Sequence, residues 1–143
     1  MKSTATATWR GGLKDGKGSL DAGTGSFTGT PYDFGKRFEG TSTPGTTPEE
    51  LIAAAHAGCY AMALSGGLGE AGRTAERIVA KATVTLDRVN GAPTVTSSHL
   101  EVRVSVPGLD AAKFAEIAEA TKKGCPISRL LNAAISLDAK LEP

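Results

Sequence analysis

Apolar and polar positions change period along this chain, and the changes mark its elements. Residues 3–9 (STATATW) alternate with period two and are rich in threonine, the pattern of a strand with one buried face. GGLKDGKG reads as the turn after it. From about Gly18 to Thr46 the chain is dominated by Gly, Thr and Pro, with Phe27, Tyr32, Phe34 and Phe38 set among them. That composition predicts a second strand and then a long, partly extended excursion.

Thr47-Pro48-Glu49-Glu50 predicts a helix start: Thr47 as N-cap, Pro48 at the first helical position, and Glu50 three residues after the cap completing a capping box. The helix should run to about Gly66 or Gly69. Its body is small and apolar (Ala53, Ala54, Ala55, Ala57, Gly58, Ala61, Ala63), and a helix without a polar face is expected to be buried on most sides, against neighbours that include a second copy of itself. After the charged turn EAGRTAER, IVAKATVTLDRV (78–89) and TVTSSHLEVRVSV (94–106) read as two strands joined at Asn90-Gly91, a hairpin signal. LDAAKFAEIAEATKK (109–123) has apolar residues at helical spacing and ends in a basic turn before Gly124. A short helix from Pro126 to about Asn132 and a last strand, AAISLDAKL, follow. Strands, helix, strand pair, helix pair and strand predict an α+β fold, a mainly antiparallel sheet wrapped around a buried central helix.

Composition narrows the function classes. A length of 143 residues with 40% apolar content suits one domain over residues 1–143. Sixteen Lys plus Arg against fifteen Asp plus Glu give a net charge of +1 with neither sign in a block, so neither nucleic acid nor an anionic membrane is an expected partner. The N-terminus lacks an apolar leader core, and no stretch approaches the ~20 apolar residues of a membrane span. A soluble, cytoplasmic protein is the expectation.

In a reducing compartment, two cysteines point to redox or nucleophilic chemistry as readily as to inert burial. Cys59 lies deep in the apolar helix, and Cys125 stands between Gly124 and Pro126 at a helix mouth. There the unpaired backbone N–H groups favour a thiolate, making Cys125 the more acidic candidate on local grounds. Cys59, far from its helix end, needs a cation from another segment, with Arg10, Arg37 and Arg129 as candidates. The 66-residue separation is not a CxxC motif, and whether the two meet is not readable from spacing.

The runs RFEGTSTPGTTPEELIAAAHAGCYAMALSGGLGEAG, VPGLDAAKF and GCPISRLLNAAISLDAKL resemble the OsmC/Ohr family, and within it the OsmC branch, over nearly the whole chain. The resemblance implies a thiol-dependent peroxidase that reduces organic hydroperoxides and works as an intertwined homodimer with its sites at the subunit interface. It implies Cys59 as the peroxidatic cysteine and Cys125 as the resolving one, joined in a disulfide during turnover. Arg37 in the RFEG segment matches the activating arginine, with Arg10 as the rival by the pattern of the Ohr branch. Glu49 matches the glutamate that orients the arginine. Ten helical residues rise ~15 Å, so Glu49 is expected to serve the other subunit's Cys59 rather than its own. The reductant implied is a dithiol, by analogy with the Ohr branch a lipoylated protein, and the scheme needs no metal, flavin or haem.

Other readings compete at single residues. His56, three residues before Cys59, invites a Cys-His acyl hydrolase, against a satisfied core histidine. His99 and Trp9 read as structural. A zinc site from His56, Cys59 and Cys125 lacks ligand-pair spacing and a clear fourth ligand. Phe34, Phe38, Met62 and Leu130 form a candidate apolar entrance, against plain core packing. A binding or stress protein of the same fold with a silent cysteine pair completes the alternatives.

Overall fold

A computed structural model describes residues 1–142, which divide into two compact units, residues 1–51 and the chain from residue 52 onward. In the first, β1 (Ala5–Arg10), β2 (Lys17–Ala22) and β3 (Thr30–Tyr32) form an antiparallel sheet in that order. Trp9 and Tyr32 are both paired in register with Gly18. A side chain at Gly18 would collide with both rings, so the glycine lets them approach to 5.4 Å between centroids. Trp9 is thus a packing residue. Within the predicted extended excursion, the structure winds Gly35–Glu39 into a π-helical turn. The Asp33 carboxylate accepts from the Lys36 N–H at 2.7 Å and pairs with Lys17 Nζ of β2 at 2.7 Å, tying the turn to the sheet. Gly40 closes it in the left-handed region (φ 66°), where glycine is free to go.

Helix α1 (Pro48–Glu70) starts as expected: the Thr47 hydroxyl accepts from the Glu50 N–H at 3.1 Å. The reciprocal half of the capping box does not form, because the Glu50 carboxylate takes the Thr46 hydroxyl at 2.5 Å instead. In the second unit α1 buries one stripe, His56, Tyr60, Leu64 and Leu68, at the four-residue spacing of one helix face. Ala54, Ala55, Gly58 and Met62 stay exposed, so burial on most sides is not reached within one chain. By length and composition α1 would suffice to cross a membrane, contrary to the expectation that no stretch comes close. Its buried stripe is nevertheless spent on packing against the core, with the Tyr60 hydroxyl donating to the Ala118 carbonyl of α2 at 3.0 Å.

β4 (Arg77–Val89) and β5 (Ala92–Ser105) form the predicted hairpin, turning at Asn90 (φ 51°) and Gly91 (φ 82°). Positive φ at both residues is what the primed two-residue turn requires. Period-two burial on β5 places Ser98, Leu100, Val102 and Val104 on the inner face. α2 (Ala111–Gly124) packs Phe114, Ile117 and Ala118 into the same core. After α3 (Pro126–Leu130), β6 (Ala134–Leu141) joins the sheet parallel to β5, the one parallel pairing in an otherwise antiparallel arrangement of the described residues. His99 and Ser136 face each other across that pair, Nδ1 to Oγ 2.6 Å, the structural role expected of His99.

Candidate active site

The second unit brings the two cysteines together. Cys59 comes from the flank of α1 beside the buried Tyr60, and Cys125 from the joint between α2 and α3. Pro126 disfavours a helical conformation at residue 125 (φ −55°, ψ 127°), so α2 must stop there and α3 begin anew. The Cys125 N–H closes α2 on the Thr121 carbonyl at 2.9 Å, and its carbonyl accepts from the Arg129 N–H at 3.0 Å. Fixed from both sides, the fully buried Cys125 holds its sulfur 3.1 Å from that of Cys59, and both are free thiols.

Their environments differ. Burial pushes the Cys59 thiol above its ordinary value, and the neighbouring Cys125 adds to the effect, while the Ile127 N–H only partly opposes it. For Cys125 burial is again the largest single influence and acts upward, but it is outweighed. The Ser128 N–H, the Cys59 thiol, the Ser128 hydroxyl and the Ile127 N–H together bring it below its ordinary value. Within this unit the resolving candidate is therefore the more acidic thiol, as its place at a helix mouth leads one to expect.

His56, fully buried, is hydrogen-bonded through Nδ1 to Ser98 Oγ at 2.7 Å and through Nε2 to Ser128 Oγ at 2.9 Å. Burial holds it below the ordinary 6.5, hence neutral. Both ring nitrogens are engaged by serines, which leaves no free nitrogen to act as base toward Cys59 and removes the basis of the Cys-His hydrolase reading. Neither serine stood out in the sequence. Ser128 had a signal, since it stands three residues after the capping Cys125 and so returns to the same helix face.

The first unit holds the other two candidates. Arg37, in the π turn, meets Glu49, in the first turn of α1, with Nη2 to Oε1 at 2.7 Å and Nε to Oε1 at 3.2 Å. Glu49 is buried and Arg37 is one-third exposed along its side chain. The carboxylate thus fixes the planar guanidinium by a fork of donors, which a lysine could not supply. Arg10 lies exposed at the end of β1 and has no such partner among the described residues. The Arg37 guanidinium lies 5.0 Å from the centroid of the Phe38 ring, and Phe38 packs against Phe34 with ring centroids 4.9 Å apart and planes tilted by 40°. With Trp9, Leu13 and Tyr32 these residues line an apolar groove of about 300 Å³ beside Arg37. Of the four residues expected at an apolar entrance, Phe34 and Phe38 are joined there, whereas Met62 and Leu130 are exposed side chains of the second unit.

Residues 39–140 match the protein family described as OsmC-like protein. The chain belongs to that family. It is 47% identical over 136 residues to Peroxiredoxin OsmC of Escherichia coli strain K12, spanning 95% of this chain and 94% of that one. It is 27% identical over 141 residues to the Organic hydroperoxide resistance protein of Xanthomonas axonopodis pv. citri, spanning 96% and 93%. The OsmC-like fold is matched by a crystal structure of an OsmC like protein from Mycoplasma pneumoniae, with TM-score 0.76 at 15% identity, covering 100% of this chain and 99% of that one. An organic hydroperoxide resistance protein from Elizabethkingia anophelis matches with TM-score 0.72 at 21% identity, covering 99% and 97%. At such identities the structural likeness speaks for the fold alone. The OsmC-like match takes in Cys59, Cys125 and Glu49, and its boundary falls two residues after Arg37.

Proposed function

We propose that this chain is a thiol-dependent peroxidase that reduces organic hydroperoxides to alcohols. The observation that carries the reading is the 3.1 Å approach of two free thiols 66 residues apart, in a chain whose relatives are named a peroxiredoxin and an organic hydroperoxide resistance protein.

In the proposed cycle the Cys59 thiolate attacks the terminal oxygen of the hydroperoxide. The O–O bond breaks, and the alkoxide takes a proton and leaves as the alcohol, with Cys59 left as a sulfenic acid. The Cys125 thiolate then attacks the Cys59 sulfur, the S–O bond breaks, the departing hydroxide is protonated to water, and a disulfide joins the pair. A dithiol, such as a lipoylated protein, returns both thiols and is itself oxidised. All the electrons come from thiols.

The groups around Cys59 in its own unit raise its pKa, so the thiolate needs a cation. Arg37, oriented by Glu49, is the proposed source, and the aromatic groove at Arg37 suits the organic substituent of the peroxide. Glu49 and Cys59 stand ten residues apart on one helix, a rise of ~15 Å. The Arg37–Glu49 pair is therefore assigned to the Cys59 of a second copy in a homodimer.

The decisive test counts thiols anaerobically before and after one equivalent of cumene hydroperoxide. Both thiols should disappear into an intramolecular disulfide, and Cys59→Ser should abolish turnover with a dithiol. Survival of both thiols would overturn the reading in favour of a binding protein with a silent pair.

A further inference from the structure

Helix α3 has five residues, too few to hold a helical shape in water unaided, and one of them, Ser128, is buried. Pro126, Arg129 and Leu130 are exposed, and Ile127 is half-buried against the core. The helix is thus docked through a hydroxyl. Ser128 Oγ lies 2.9 Å from Nε2 of His56, a fully buried residue of α1, and His56 Nδ1 lies 2.7 Å from Ser98 Oγ on β5. A neutral imidazole has one donor and one acceptor nitrogen, and a hydroxyl takes either role, so both bonds stand in either tautomer.

The placement of this bond follows that of the cysteines. His56 stands three residues before Cys59, and Ser128 three residues after Cys125. The His56–Ser128 bond therefore crosses from α1 to α3 about one helical turn from the 3.1 Å contact of the sulfurs. The Tyr60 hydroxyl, donating to the Ala118 carbonyl at 3.0 Å, ties α1 to α2 instead. Among the described residues the His56 bond is the one side-chain hydrogen bond that joins α1 to α3 itself. Helical bonding is interrupted at Cys125, whose N–H closes α2 while its carbonyl opens α3. The tie between α1 and α2 therefore leaves the orientation of α3 to other contacts.

We propose that the His56–Ser128 cross-tie holds α3, and with it Cys125, against α1 so that the two thiols close readily into a disulfide. His56 and Ser128 are thus positioning residues for the resolving step, and neither exchanges a proton with substrate. In that step the Cys125 thiolate attacks the Cys59 sulfenic acid, the S–O bond breaks and water leaves. It competes with a second hydroperoxide, which would oxidise the sulfenic acid to a sulfinic acid and release another alcohol. A reacting group held in place gains effective concentration, and a displacement of ~1 Å costs on the order of 10²-fold. The purpose of the cross-tie rests on the peroxidase reading, but its effect on the thiol pair does not.

The test equilibrates the full-length protein with mixtures of reduced and oxidised glutathione, with no hydroperoxide present. Oxidised glutathione takes two electrons from the thiol pair and leaves the protein disulfide and two reduced glutathiones. The quenched ratio of disulfide to dithiol protein gives the effective concentration of one thiol at the other. Ser128→Ala should lower it about tenfold or more, as misplacement of a reacting group does, and Ser128→Thr, which keeps the hydroxyl, should recover most of the loss. Ser98→Ala should stay near the parent value, because the bond from His56 to α3 remains.

Each alanine variant leaves one buried imidazole nitrogen without its partner, so the two lose comparable stability. A merely structural role would therefore move both effective concentrations alike or neither. Should Ser128→Ala fail to fold, the triple variant His56→Leu, Ser98→Ala, Ser128→Ala removes the cross-tie and leaves no unpaired group behind. Its effective concentration should fall as well. A parental value in whichever of these proteins folds would mean that the apolar contact of Ile127 suffices to hold α3, and would overturn the proposal. An equal fall in Ser128→Ala and Ser98→Ala would overturn it too. With no hydroperoxide in the measurement, either failure is distinct from a failure of the peroxidase reading, which the thiol count decides.

Discussion

At the scale of single residues the two sulfurs pose an electrostatic problem. Cys59 is assigned the attack on peroxide, yet burial holds it protonated, while Cys125 sits among groups that favour its thiolate. The assignment requires a cation at Cys59, and Arg37 is the one held ready by a buried carboxylate. A full-length Cys125→Ser protein isolates the question. There Arg37→Met should raise the titration midpoint of Cys59 by about one unit or more, in line with the loss of a nearby opposite charge. Arg37→Lys should recover part of the difference, since an ammonium keeps the charge but not the fork to Glu49. A midpoint unmoved by Arg37→Met would remove Arg37 from the site and make Arg10 the next residue to test. The roles proposed for the two cysteines rest on the family resemblance alone. Their local settings pointed the other way, to Cys125 as the stronger thiolate, and the structure agrees with that local physics.

At the scale of elements, what positions Arg37 is the π turn, and what holds the turn is Asp33. Its carboxylate takes Lys17 Nζ and the Lys36 N–H, and these contacts, Lys17 first, hold its pKa below the ordinary 3.8. A carboxylate with a depressed folded-state pKa contributes stability that is complete above 3.8 and is lost as the pH falls through the lower folded value. The parent should therefore lose more of its thermal stability between pH 5 and pH 3 than Asp33→Asn does, as melting curves at the two pH values would show. Parallel losses in the two proteins would mean that the contact contributes nothing. This element was not legible in the sequence. Asp33 and Gly40, which bound GKRFE, read equally well as loop residues, and Asp33 is also held by a lysine sixteen residues before it, a non-local contact that no periodic pattern reports. By contrast, the start of α1 and the Asn90-Gly91 turn were read correctly because each is fixed by neighbours within four residues. The one local error, the capping box, arose because Thr46 offered Glu50 a hydroxyl that competes with the backbone. Thr47→Ala should still cost about 1 kcal/mol of stability, the usual worth of an N-cap, measurable by denaturant unfolding.

At the scale of the whole molecule the open question is where Arg37 and Glu49 act, and α1 frames it. One side of the helix is spent on the core through His56, Tyr60, Leu64 and Leu68, while the side carrying Ala54, Gly58 and the 78% exposed Met62 lies open. An apolar, small-residue face of this kind suits close approach by a second copy of the same helix, as the proposed homodimer requires. Two inactive variants can separate the arrangements. Cys59→Ser retains Arg37 and Glu49, and Arg37→Met retains Cys59 and Cys125. If the arginine of one chain serves the cysteine of the other, a mixed dimer assembles one site with both groups intact and one site with neither. When equal amounts are unfolded and refolded together, half of the dimers are mixed and one of their two sites works, so roughly a quarter of the parental peroxidase activity should return. If each chain completes its own site, no combination restores a working pair and the mixture stays as inactive as its components. Mixing without unfolding should restore activity only as fast as subunits exchange, which ties the recovered turnover to assembly of the dimer.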